Sequence, residues 1–100
     1  MDPKSWKILK DKLIELGLEV KTVGRAKKEY VATSDKVTFD ILKGGLTGSG
    51  MTIELFVFDG VSSALDKVVI HNHYHHYTDV LHVVQSILND YNEEIVDEEN

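Results

Sequence analysis

The chain predicts an α+β fold: an N-terminal helix, an antiparallel sheet of about five strands in meander order, and a C-terminal helix, with both helices on one sheet face. Three observations predict it. Apolar residues recur at helical spacing near each end of the chain. Between them the pattern becomes short β-rich runs bounded by turn residues. The order runs helix, strands, helix, with no alternation of the two that would call for a parallel sheet.

The first helix opens with Asp2 as N-cap and Pro3 at the first helical position, where a missing N–H costs nothing. Trp6, Leu9, Leu13 and Leu16 form its apolar stripe, and Lys4, Lys7, Lys10, Asp11 and Glu15 lie largely away from it. Gly17 supplies a left-handed C′ residue, with Leu18 folding back onto the last turn.

Strands are expected over Leu18–Val23, Glu29–Thr33, Lys36–Lys43, Met51–Phe58 and Val68–Tyr74. The turns between them are Gly24–Lys27, Ser34-Asp35, a glycine-rich loop Gly44–Gly50, and a polar stretch from Asp59 through Asp66. A second helix begins near Thr78, with Asp79 in the dipole-favoured first turn. Val80, Leu81, Val83, Val84, Ile87, Leu88 and Tyr91 make its apolar face, and His82, Gln85 and Asn89 its polar one. Residues 1–92 form one domain, and residues 93–100 an acidic tail.

Composition narrows the function. A 100-residue chain with 42% hydrophobic and 28% charged residues is an ordinary small domain. No apolar run approaches the ~18 residues needed to span a bilayer, and no secretory h-region follows Met1. The absence of cysteine excludes disulfides and thiolate sites. A cytoplasmic protein is expected.

The net charge of −6 divides into +3 over residues 1–30 and −9 over residues 31–100, so general nucleic-acid binding is not expected. Lys21, Arg25, Lys27 and Lys28 cluster at one turn with Tyr30 as the nearby aromatic, which suits solubility and edge protection. Gly44–Gly50 lacks the Gly-Lys-Ser/Thr ending of a phosphate loop. No Gly-x-Ser-x-Gly elbow is present. The adjacent letters His71-Asn72-His73 match the HNH nuclease signature in spelling alone, since that family disperses them.

The chemistry concentrates in Val68–Asp79, where four of the five histidines fall within six residues. On a strand, His71 and His73 share a face, with Cβ atoms roughly 6.6 Å apart. If Lys43 opposes Met51, then Phe39 faces Leu55, Val37 faces Val57, and Asp40 faces Glu54. If Val57 opposes Val68, Glu54 lies beside His71. Asp40, Glu54 and His71 then form a row, and His71, His73, Glu54 and Asp40 become candidate ligands for a divalent metal such as zinc. His75, His76, Asp79 and His82 make a second candidate cluster. The same outward face carries Phe56, Phe58, Leu42 and Val69, a candidate interaction surface.

The expected function is that of a small intracellular binding or regulatory protein, without catalysis or a required cofactor, self-associating through its sheet. A metal-binding protein or metal-dependent enzyme is the alternative. A third reading is an acidic inhibitor or nucleic-acid mimic, suggested by six acids and no base between Asp90 and Asn100.

Overall fold

The computed structural model describes residues 3–25, 28–47, 50–60 and 68–99. Asp2, Lys27, residues 48–49 and residues 61–67 lie outside these. The elements are α1 (Pro3–Glu15), β1 (Glu19–Val23), β2 (Glu29–Thr33), β3 (Val37–Thr47), β4 (Gly50–Asp59), β5 (Val68–Tyr74) and α2 (Tyr77–Glu99). The strands form one antiparallel sheet in the order β1-β2-β3-β4-β5, the expected meander.

Helix α1 ends as its sequence dictates. Gly17 takes φ +93°, its N–H donates to the Ile14 carbonyl at 2.9 Å, and the Leu18 N–H reaches back to Leu13 at 3.3 Å. These bonds satisfy carbonyls that a helix terminus leaves open. The β2–β3 turn is held by Ser34, whose N–H donates to the Val37 carbonyl at 2.9 Å and whose Oγ accepts from the Val37 N–H at 3.1 Å.

Strand alternation then sorts the side chains. Tyr30, Ala32, Val37, Phe39, Ile41, Ile53, Leu55 and Val57 make the buried inner face. Trp6, Leu9 and Leu13 of α1 and Val80 and Val84 of α2 complete the same core, with Leu81, Val83, Ile87, Leu88 and Tyr91 packed around it. Fully burying each large apolar side chain contributes roughly 1.5–3 kcal/mol. Tyr30 joins the sheet to α1: its ring stacks on Trp6 at 4.0 Å, and its hydroxyl donates to the Trp6 carbonyl at 2.9 Å. Burial, and then the Asp11 carboxylate, raise the tyrosine pKa and keep it a neutral donor.

Three expectations need correction. The strands reach further than expected into the glycine-rich segment, with β3 running to Thr47 and Thr47 paired with Gly50. The β3–β4 register is displaced by two: Phe39 opposes Val57, Ile41 opposes Leu55, Lys43 opposes Ile53, and Asp40 opposes Phe56. The β4–β5 register is also displaced by two, with Val57 opposite Ile70 and Glu54 opposite His73.

The physical reason is shared. A two-residue slip preserves which side chains point inward, so the apolar pattern cannot distinguish the alternatives. Irregularities settle the phase, one between Lys43 and Leu46 and another that leaves Val69 unpaired between Val68 and Ile70. Helix α2 begins at Tyr77, one residue before Thr78, and its backbone includes residues 93–99.

The first irregularity requires glycine. A Cβ on Gly44 would sit 2.6 Å from Thr52 Oγ1 and 2.9 Å from the Thr52 carbonyl oxygen. Gly44→Ala is expected to destabilise the fold by about 1–3 kcal/mol, the usual cost of overpacking. Urea denaturation measures it. Adding Thr52→Ala should recover only part of the loss, because the carbonyl contact remains.

Candidate functional site

The outer face of the sheet is read as three rows crossing all five strands. One row is Val23, Glu29, Leu42, Glu54 and His73; the next is Lys21, Val31, Asp40, Phe56 and His71. The third is Glu19, Thr33, Thr38, Phe58 and Val68. Acids therefore occupy the middle strands, and the two histidines lie on the β5 edge.

Glu54 joins the rows. It is directly opposite His73 and diagonal to His71, within reach of both. Its Oε2 lies 2.7 Å from His71 Nε2 and 3.4 Å from His73 Nε2. The expected neighbourhood of Glu54, His71 and His73 is thus present, although the register differs from the expected one. A two-residue slip exchanges the directly opposite histidine for the diagonal one.

The aromatic neighbours order this cluster. Phe56 stacks on the His71 ring with centroids 4.1 Å apart and planes 6° from parallel. Phe56 and Phe58 are 6.2 Å apart, and the two histidine rings 5.3 Å apart. The Phe56–His71 contact was not anticipated from the sequence, because the expected register placed Phe56 one pair away.

The candidate interaction surface is only partly exposed. Leu42 and Phe56 are half-buried and Val69 is 56% exposed, but Phe58 is buried at 3%. Expected exposure of Phe58 is therefore corrected. It lies opposite Thr38, itself 1% exposed, at the sheet end where Thr38 Oγ1 donates to the Gly60 carbonyl at 2.9 Å.

Asp40 separates from the histidines. The corrected register places it between Val31 and Phe56, two apolar neighbours, instead of opposite Glu54. Its Oδ1 is enclosed without a hydrogen-bond partner. Burial pushes its pKa up to about 7, aided by a side-chain hydrogen bond to Glu29 and by the charges of Glu29 and Glu54. A carboxyl group in this setting favours its proton.

Among the described residues, Glu54, His71 and His73 are the one group of three such donors whose ligating atoms all lie within 4.8 Å of one another. Asp40 lies outside that group, and His75, His76, Asp79 and His82 form none. Among the described residues, no helix is long and apolar enough to cross a membrane.

The raised Asp40 pKa carries a definite sign. The folded state holds the proton more tightly than the unfolded chain, so the stabilising contribution is fully present below the ordinary value of 3.8. It is lost as pH rises through about 7. Asp40→Asn should therefore stabilise the protein most above pH 7, by ~1–2 kcal/mol after allowance for solvent screening, with a smaller gain near pH 5. Denaturant titrations at both pH values test this, and an equal effect at each would remove the protonation account.

No family model, curated protein or solved structure matches the chain.

Proposed function

We propose that the chain is a small non-catalytic binding protein that self-associates through its outer sheet face. The observation that carries this reading is the one-sided placement of the helices. Both α1 and α2 contribute to the core on the inner face, whereas Leu42, Phe56 and Val69 belong to the other side or its margin. Half-buried and exposed apolar side chains among polar ones on that side suit a contact surface.

A second copy is the favoured occupant on physical grounds. Sheets stack face to face at about 10 Å, and two-fold pairing of identical surfaces is the commonest assembly of soluble proteins. The acidic residues in the middle of the face oppose such contact. With its pKa raised to about 7, Asp40 takes up a proton as pH falls towards neutrality, which lessens that repulsion. Phe56, ordered by its stack on His71, supplies a rigid aromatic anchor with little rotamer entropy left to lose.

Sedimentation equilibrium over a rising protein concentration should show a monomer–dimer equilibrium. Phe56→Ser should weaken it by about tenfold or more, equivalent to ~1.4 kcal/mol, while the circular dichroism spectrum stays unchanged. A monomer throughout the range, with no response to Phe56→Ser, would remove this reading.

A further inference from the structure

We infer that Glu54, His71 and His73 form a site for one zinc-class divalent ion. All three donors belong to one chain, so the site does not require self-association. Strand periodicity places both imidazoles on the outer face, and the antiparallel register places Glu54 between them in reach. Glu54 Oε2 is the common partner of both Nε2 atoms, at 2.7 Å and 3.4 Å.

These separations suit coordination. A tetrahedral zinc ion holds nitrogen and oxygen donors at about 2.0–2.2 Å, which spaces neighbouring donors by roughly 3.4 Å. The three ligating atoms already lie within 4.8 Å of one another. Small rotations about the side-chain bonds bring them onto one ion. Coordinate bonds to the metal then replace the contacts that now run between Glu54 and the two rings.

The surroundings favour that outcome. Phe56, parallel to His71 at 4.1 Å, restricts the ring and holds Nε2 towards Glu54. Leu42, directly opposite Glu54, gives the carboxylate an apolar neighbour on its other side, and the Glu54 side chain is only 29% exposed. Two imidazoles with one carboxylate select zinc or a similar transition ion over magnesium and calcium, which take oxygen ligands. The His71 and His73 side chains are 42% and 60% exposed, so a water molecule can complete the coordination from the solvent side. Asp40 takes no part as a ligand: its direct neighbours are Val31 and Phe56, and it is hydrogen-bonded to Glu29.

Isothermal titration of the full chain with zinc chloride should give one ion per chain. Imidazole nitrogen resonances of His71 and His73 should shift together as zinc is added, a readout that needs no variant. His71→Ala, His73→Ala and Glu54→Gln should each weaken binding by about tenfold or more, whereas a His75→Ala/His76→Ala double variant should retain it. Magnesium chloride should leave the His71 and His73 resonances unmoved. The inference is overturned if zinc leaves those resonances in place. It is equally overturned if the unaltered and ligand-substituted chains bind zinc alike, or if the His75/His76 variant alone loses binding.

Discussion

The sheet has one strongly apolar face, and both amphipathic helices need it. That demand organises the molecule. Trp6, Leu9 and Leu13 arrive from one end of the chain and Val80 and Val84 from the other, meeting over Phe39, Ile41, Leu55 and Val57. Because α1 and α2 share this surface, they also pack near one another, and Tyr91 bonds across to Asp59 at 3.1 Å. The outer face has to be made tolerable in water by other means. Alternation places Lys21, Glu29, Asp40, Glu54, His71 and His73 there, interleaved with Val31, Leu42 and Phe56.

Element type and facing were legible because they depend on period. The apolar residues assigned to α2 all pack on or around the core, and Val37, Phe39, Leu55 and Val57 are buried together as their alternation implied. Pairing was not legible to the same degree. Phe39 opposite Leu55 and Phe39 opposite Val57 leave the same side chains facing inward, and the irregularity between Lys43 and Leu46 accompanies the pairing observed. The burial of Phe58 also escaped the pattern, because strand parity places it on the outer face opposite Thr38.

The candidate site survived an incorrect register for a geometric reason. His71 and His73 occupy successive outward positions, so Glu54 remains beside one and diagonal to the other when the strand shifts by two. Asp40 had no such redundancy. Displacement by two exchanged its expected Glu54 neighbour for Phe56, leaving a carboxyl group whose nearest acidic partner is Glu29. The same outer face therefore holds two electrostatic regimes: a carboxylate among imidazoles near β5, and near its centre a half-buried carboxyl group beside Glu29 whose pKa is raised to about 7.

The two register irregularities flank the segment of β4 that carries Glu54 and Phe56. The core alone would accept β4 shifted by a full two-residue step, but each bulge is tied to a particular local sequence and marks a fixed phase. Matched changes in the lengths of the two connecting hairpins would therefore leave the hydrophobic interior intact while changing which residue lies opposite Glu54 and taking Phe56 from its place opposite His71. Fold and surface chemistry are consequently separable in evolution. A lineage could keep the scaffold and exchange the outer face by moving a bulge, without replacing a single buried side chain.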